Sequence, residues 1–367
     1  MTGPDLTRVH RRRTATQRVS AAGLARGADV VRLLLAVQSQ DAPMAAWSLA
    51  LRMPEGTTYA QVLAEQRAGG WVRTHVLRPT WHHVAPEDLR WLQRLTGPKV
   101  ESSMGARHRQ LELTDLALER AVEALRELLA GAEPMTRREL TDAFAARGLP
   151  ASGEQVAHQL LVAELRAVVC SGPPRGAEHT YVLVDDAVPP GPLDHLTGDA
   201  ARDELVGRFF AGHGPAGERD LLRWSTLTLT EIRAALARAG DRLDHWEVDG
   251  ERLWFDPSVP ARTTRDPGAV LVPTFDELTL SYADTGLPRR DPSSPRPRLV
   301  NAIGGGTVIL GGEDVGAFTR RVTRTGVDVA VVPDLPLAAE EVDRVQAAAG
   351  RLAAFLGLPL RWSVERG

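Results

Sequence analysis

Three times the chain runs through helical segments and then into a pair of short β-branched and aromatic stretches, and this recurrence limits the fold more than any other feature. The first set has apolar-periodic segments at about 28–37, 44–52 and 59–68, then the extended run Arg73-Thr74-His75-Val76-Leu77-Arg78-Pro79-Thr80-Trp81-His82-His83-Val84. Arg78-Pro79 interrupts that run, so it reads as a hairpin, and Pro86-Glu87-Asp88 supplies the proline and acids that suit a helical first turn. The second set follows a long helix at about 114–129. In it, Thr136 and Glu139 form a capping box for a helix at 137–147 that Gly148 ends, and Ser152 opens another with Val156, Leu160, Leu161 and Leu165 on one stripe. Strands are expected there around 168 and 181–184. The third set comprises 219–225, 228–239 and strands at 243–248 and 252–255, joined by Asp249-Gly250, a strong two-residue hairpin signal.

Two helices and a hairpin are the pattern of a winged helix, a helix-turn-helix variant, and three copies in series predict a repeat architecture rather than three unrelated domains. Such units often read DNA, yet many only pack against neighbours, so topology alone leaves both roles open. From about 269 the texture changes to strands at 270–277, 307–310 and 327–332, with glycine-rich turns at Gly304-Gly305-Gly306 and Gly311-Gly312 and a last helix at about 338–356. The expected fold class is therefore α+β. Three tandem winged-helix units over 1–112, 113–190 and 191–262 precede a small β-rich module, with a hairpin and a terminal helix, over 263–367. A loop at 284–298, rich in Pro, Ser and Arg, has the length of functional or mobile loops.

At 367 residues, 43% hydrophobic and 25% charged, the chain has the composition of a soluble globular protein with several cores. Its net charge of −3 does not announce a nucleic-acid binder, but the distribution is uneven. Arg8, His10, Arg11, Arg12, Arg13 and Arg18 crowd one end against Asp5; Arg289, Arg290, Arg296 and Arg298 punctuate the long loop; Arg320, Arg321 and Arg324 form a third cluster. Only the facing surface matters for phosphate binding, so each cluster reads either as a DNA contact or as a solvated face. All but Lys99 of the 44 basic residues are arginine, which can contact phosphate or guanine bidentately. Cys170 is the single cysteine, so an intrachain disulfide or a cysteine-based zinc site is excluded and a reducing, cytoplasmic compartment is expected. No signal-peptide h-region and no 18-residue apolar run occurs, so neither secretion nor membrane spanning is expected.

Gln38-Ser39-Gln40-Asp41-Ala42-Pro43 stands where an apolar run ends and the next helix is about to begin. Residues two apart do not share a helix face, so two amides serving one site require a turn here; Asp41 and Pro43 offer a cap and a first-turn proline. Neutral amides at such a corner could orient a water or hold a polar edge, or could simply be solvated.

The Gln38–Asp41 corner, the stretch from Arg73 to Trp91, the segment Asp220-Leu221-Leu222-Arg223-Trp224-Ser225 with Thr228-Leu229-Thr230-Glu231, and Phe275-Asp276-Glu277-Leu278 with Gly306-Thr307-Val308-Ile309-Leu310 occur in order. Together they resemble the AlkZ/YcaQ family, bacterial winged-helix DNA glycosylases, over nearly the whole chain. The resemblance implies a monofunctional enzyme whose three winged helices form a C-shaped, concave, basic surface of duplex width. Some members excise N7-alkylguanines, interstrand crosslinks included, and so protect producers of DNA-alkylating antibiotics. The family's catalytic pattern is Gln-x-Gln in one branch and Gln-x-Asp in the other; Gln38 and Gln40 match the first, although Ser39 is polar where that branch generally has an apolar residue. A hairpin near the cleft is also needed, and 302–320 is its expected place.

N7 alkylation makes guanine a cationic leaving group, so the enzyme need only steady an oxocarbenium-like sugar and place a water at C1′. Gln40 is expected to hold the water and Gln38 to orient the nucleotide, with Asp41 as a helix cap rather than a base. Phosphate contacts are expected from Arg11, Arg12, Arg13, Arg73, Arg78, Arg289, Arg290 and Arg320. His82 and His83 point to opposite sides of a strand, so one is packed and the other, assigned as His83, faces DNA. Trp81 is expected in the core of the wing rather than as an intercalating wedge. No metal and no cofactor are expected, because the two histidines lack further ligands at usable spacing. The expected partner is double-stranded DNA carrying N7-alkylguanine, approached through an open cleft because a crosslinked base cannot rotate into a closed pocket. A monomer is the family expectation. The competing reading is a non-catalytic winged-helix regulator or scaffold, which leaves both glutamines without chemistry. A dinucleotide fold around Gly304-Gly305-Gly306 fails because no helix follows those glycines.

Overall fold

Short polar side chains cap many of the helices, and the chain's order is legible from them. The computed structural model describes residues 5–20, 23–176, 178–263, 268–283, 287–294 and 304–365. After α1 (Leu6–Thr16), capped by Asp5, come α2 (Gly27–Leu34), β1 (Ala36–Gln38), α3 (Ala42–Ala50), α4 (Tyr59–Arg67) and the hairpin of β2 (Val72–Val76) and β3 (Arg78–Val84). The helices α5 (Pro86–Ser103) and α6 (Gly105–Gln110) lead to α7 (Asp115–Leu129), β4 (Met135–Thr136), α8 (Arg137–Ala146), α9 (Gly153–Leu165), β5 (Val169–Ser171) and β6 (Thr180–Leu183). Short α10 (Val184–Ala187) precedes α11 (Gly198–His213), α12 (Glu218–Trp224), α13 (Leu229–Ala239) and the hairpin of β7 (Asp244–Val248) and β8 (Glu251–Phe255).

The three sets share one topology: helix, short extended segment, two helices, hairpin. The short segment always lies against the second hairpin strand. The sheet orders are β1-β3-β2 and β4-β6-β5, and in the third set Ala216 bridges to Trp254 of β8. Reciprocal capping boxes open α8 (Thr136 with Glu139), α9 (Ser152 with Gln155) and α13 (Thr228 with Glu231), satisfying N–H groups that have no partner within the helix. Asp249 and Gly250, both at positive φ, form the two-residue turn of the third hairpin.

One departure from the sequence pattern shapes the site. The apolar run expected to stay helical to residue 37 stops at Leu34, and Leu35 turns the chain with φ 63° and ψ −45°. That is close to the rare positive-φ γ-turn, which is strained for a bulky residue. Two tertiary effects override helix propensity here. Residues 36–38 pair antiparallel with β3, Gln38 opposite His82. The last turn of α2 is also met closely by α11: a Cβ on Gly212 would lie 2.2 Å from the Leu33 carbonyl oxygen.

The last part of the chain forms a five-stranded sheet from β9 (Ala269–Pro273), β10 (Gly305–Leu310), β11 (Glu313–Thr323), β12 (Gly326–Pro333) and β13 (Leu360–Val364), in the order β13-β12-β11-β10-β9. The short α14 (Glu277–Leu280) follows β9, and α15 (Ala339–Leu356) carries the chain across so that β13, absent from the sequence reading, pairs parallel with β12. Within the long loop, 287–294 is anchored: Arg290 N–H donates to Asp314 O at 2.9 Å and Asp314 N–H to Pro288 O at 2.8 Å. Its residues 284–286 and 295–298, Arg296 and Arg298 among them, lie outside the described residues.

The cores divide unevenly. Residues from Leu113 to Tyr181 make a core of their own. By contrast, α2–α4 share one core with the C-terminal sheet and α15, and Leu35, Leu77 and Trp91 share another with α11 and Trp224. The wholly buried Trp91 and Trp224 each contribute at least the 1.5–3 kcal/mol (about) typical of a fully buried large apolar side chain. The seam with the sheet is also polar, since Trp47 Nε1–H donates to Leu271 O at 2.8 Å.

Candidate active site

The corner begins at the last residue of β1. Ser39 N–H still donates to Trp81 O at 2.7 Å, so the extended backbone continues past Gln38. β1 ends at Gln38 and the backbone bends at Gln40, so the two glutamines stand on either side of a turn and share no helix face. Their surroundings differ sharply. Gln38 is 7% exposed, whereas Gln40 is exposed and its side chain has no partner among the described residues.

A rigid polar frame holds Gln38. The Arg78 guanidinium donates to Gln38 Oε1 at 3.1 Å, to Trp224 O at 2.7 Å and to His82 Nε2 at 3.1 Å. His82 donates its Nδ1–H to Thr80 O at 2.9 Å, which fixes the tautomer and leaves Nε2 as the acceptor. Burial, reinforced by the charge of Arg78, drives the His82 pKa well below the usual imidazole value, so the ring is neutral at physiological pH. The Gln38 backbone N–H donates to Glu277 Oε1 at 3.0 Å, while the other oxygen, Oε2, accepts from Trp224 Nε1 at 2.8 Å and Ser281 Oγ at 2.9 Å.

The segment carrying Glu277 is fixed in turn by a buried ion pair. Arg52 donates to both Asp276 oxygens at 2.7 and 2.8 Å, to Ser48 O at 2.8 Å and to Gln17 Oε1 at 2.8 Å. Burial alone would raise the Asp276 pKa, but the Arg52 charge holds it below the usual carboxylate value.

On the other side of the corner, Asp41 does two things. It caps α3, accepting from Met44 N–H at 3.4 Å, and both its oxygens accept from Arg320 NH2 at 2.8 and 2.6 Å. Arg320 belongs to β11, which runs on for three residues to a turn at Arg324 and Thr325, with Arg321, Val322 and Arg324 exposed. Within the expected interval 302–320 the turn is at Gly311-Gly312, at the opposite end of β11, roughly 25–30 Å from Arg320 at about 3.3 Å per residue. The hairpin beside the corner is thus β11–β12. Residues 302 and 303 lie outside the described residues.

Several groups expected to meet phosphate have other partners. Arg13 is buried, donating to Pro215 O at 2.8 Å and lying over the Tyr282 ring at 4.0 Å. Arg12 sits over Phe255 at 4.0 Å and donates to Asp256 O at 3.3 Å. Arg289 pairs with Asp334 at 3.4 Å, Arg290 with Glu341 at 2.9 Å and Glu313 at 3.3 Å, and Arg320 with Asp41. Arg73 donates to Ser39 O at 3.0 and 3.2 Å and lies over Trp81 at 3.9 Å, and burial lowers its pKa to about 10. Of the arginines chosen from the sequence, Arg11 alone is exposed with no partner among the described residues.

His83 is a correction. It is 3% exposed, packs edge-on against Trp71 at 5.8 Å, and burial together with the Arg73 charge lowers its pKa to about 3. Both histidines of the pair are interior, because β3 is the central strand and is covered on both faces. Trp81 is half-buried at the edge of the wing rather than in its core, donating its Nε1–H to Glu164 at 3.2 Å and stacking on His179 at 5.4 Å.

Sequence reasoning assigned no role to Glu277 or Trp224. Both lie in segments that carried the family resemblance, which was the available signal; only the fold brings them to Gln38. Among the described residues no group of three His, Cys, Asp or Glu is arranged to hold a metal, and no helix is long and apolar enough to cross a membrane.

Comparison with known proteins gives three findings. Residues 31–355 match the model of the family described as DNA glycosylase AlkZ-like. None of the curated proteins matches the chain. Among solved structures it is similar to the Streptomyces sahachiroi DNA glycosylase AlkZ, at 21% identity and a TM-score of 0.74, over 99% of this chain and 100% of that one.

Proposed function

Because the chain belongs to the AlkZ-like family of DNA glycosylases, we propose that it excises N7-alkylated purines from duplex DNA, with Gln38 and Gln40 as the working amides. The bonding pair of C1′–N9 passes to the cationic base and neutralises it, so the departing base needs no general acid and the positive charge develops on the sugar. What the protein must supply is a water held at C1′ and dipoles that suit a developing oxocarbenium ion. Holding reactants in an attack geometry is worth several kcal/mol, about 7–11 in the best model systems.

One observation carries this reading: the two amides of the corner are unequal. Gln38 is held through its backbone N–H and its Oε1, and Gln40 is exposed with its amide uncommitted. A neutral amide oxygen in that position can accept from a water and orient it without removing its proton. Asp41, the other oxygen acceptor nearby, is occupied by Arg320 and by the N-terminus of α3, which supports a structural role for it.

The thrice-repeated topology supports tandem winged-helix units with boundaries near 112, 190 and 262, arranged as a C around a duplex-wide trough. In this arrangement β11–β12 serves as the hairpin on the DNA side. The exposure of Gln40 supports an open cleft that admits bulky adducts and crosslinked bases, as antibiotic self-resistance would require. We place the enzyme in the cytoplasm as a monomer.

The test is excision from a duplex bearing N7-methylguanine or a bulky N7 adduct, read as abasic sites cleaved by alkali. Wild type should generate them, and Gln40→Ala should abolish them while binding the duplex as before. Retained excision in Gln40→Ala would remove the assignment.

A further inference from the structure

We infer that Arg78 is a positioning residue: it locks the Gln38 amide so that only the NH2 group faces the cleft, making Gln38 a one-way hydrogen-bond donor to an acceptor on the target nucleotide. The inference rests on the glycosylase reading and assigns Gln38 and Gln40 separate duties.

The argument begins with a property of arginine. A guanidinium has donors and no acceptor, so the atom of Gln38 that meets Arg78 NH2 at 3.1 Å must be the carbonyl oxygen. The usual ambiguity of a glutamine flip is therefore settled by chemistry. With Oε1 committed, Nε2 is the free end. It has no partner among the described residues and is absent from the sealed, unpartnered polar atoms, so it retains a path to solvent. A group in that state offers hydrogens and cannot accept from a water. The nucleotide offers suitable acceptors in its phosphate, its sugar oxygens and the base edge.

Arg78 is held for this task and not for phosphate binding. Its guanidinium meets Trp224 O and His82 Nε2 besides Gln38, and the residue before it, Leu77, is buried with φ 64°. A bulky residue in that strained region persists only when its surroundings over-determine it. Removing the guanidinium leaves three acceptors without that donor: Gln38 Oε1 itself, His82 Nε2 and Trp224 O. The Gln38 amide met the same guanidinium, and its NH2 is a donor able to satisfy the last two. It would turn inward, presenting Oε1 to the cleft, and the competent orientation would become the minor one.

The experiment compares Arg78→Met, Arg78→Lys and Gln38→Glu in single-turnover excision and in equilibrium binding to undamaged duplex. Arg78→Met should slow excision about tenfold or more with Kd within about threefold and the salt slope unchanged. Arg78→Lys keeps a donor beside Oε1 and should recover most of the rate. Gln38→Glu keeps an oxygen for Arg78 but turns the cleft-facing donor into an acceptor, and should lose excision while remaining folded. Weaker binding with a salt slope lower by about one at an unchanged excision rate would make Arg78 a phosphate contact and overturn the inference. So would an active Gln38→Glu, which also carries the test if Arg78→Met fails to fold. An activity-independent readout is the Gln38 side-chain NH2 resonance pair, identified by its loss in Gln38→Glu. It should be a single set in wild type and move or double in Arg78→Met. An inactive wild type would refute the glycosylase reading while leaving that signature measurable.

Discussion

Mild acid should destabilise this protein through its interior histidines, by an amount that follows from two of them. Burial lowers the pKa of His83 to about 3 and of His213 to about 4, against 6.5 for an ordinary histidine. His213 is wholly buried, and its Nε2–H donates to Leu34 O at 3.1 Å, just before the strained turn at Leu35. Below pH 6.5 the unfolded chain takes up protons that the folded rings refuse, so the folded state loses ground. The contribution is fully present above pH 6.5, declines as pH falls, and levels off near pH 4 for His213 and near pH 3 for His83. From pH 6.5 to 5 each ring costs about 2 kcal/mol at about 1.4 kcal/mol per unit, so the pair accounts for about 4 kcal/mol. His82 acts in the same direction. Buried or paired carboxylates such as Asp276 and Glu87 are displaced downward, so they titrate mainly below this window. The assay is urea unfolding at pH 7 and pH 5, in wild type and in the double variant His83→Gln/His213→Gln. Equal stability at the two pH values, or a double variant that keeps the whole loss, would refute the reasoning.

The other expectations concern ion pairs. Asp41 and Arg320 side chains are 7% and 10% exposed, so Arg320→Met or Asp41→Asn leaves a nearly buried charge alone and should cost about 3 kcal/mol or more, even though asparagine caps as well as aspartate. The double variant should recover part of that loss in urea unfolding, and strictly additive losses would show that the pair is not coupled. In DNA binding, Arg11→Ala and Arg321→Ala should each reduce the slope of log Kd against log salt by about one, while Arg290→Ala should leave it unchanged. An equal effect at Arg290 would mean that its pairs with Glu313 and Glu341 open on DNA.

Local signals in the sequence survive in the structure where local chemistry decides. The box at Thr136 caps its helix as expected, and Asp249-Gly250 turns a hairpin. What the sequence hid is what distant partners impose. β1 is three residues long and lies inside an apolar run that reads as helix; it is extended because β3 offers it a ladder. β13 is short and half-exposed, and its place follows from β12. The arginine clusters misled for the same reason: adjacent residues reveal positive charge, but not the carboxylates Asp41, Asp334 and Glu341 that arrive from elsewhere in the chain to neutralise it. At the candidate site, the glutamine pair stands out in the sequence, while the frame of Arg78, Trp224 and Glu277 depends on three elements converging.

The supports of the corner have a consequence for the newborn polypeptide. Gln38 waits for Glu277, 239 positions later, and Asp41 waits for Arg320, 279 positions later. At roughly 5–20 residues per second the ribosome needs about 15–60 s to deliver that arginine. Until then α2–α4 lack the sheet that covers them, and a base-cutting machine cannot be assembled on an unfinished chain. A message truncated before codon 277 should therefore yield material that chaperones or proteases must handle, and no stray enzyme loose upon the chromosome.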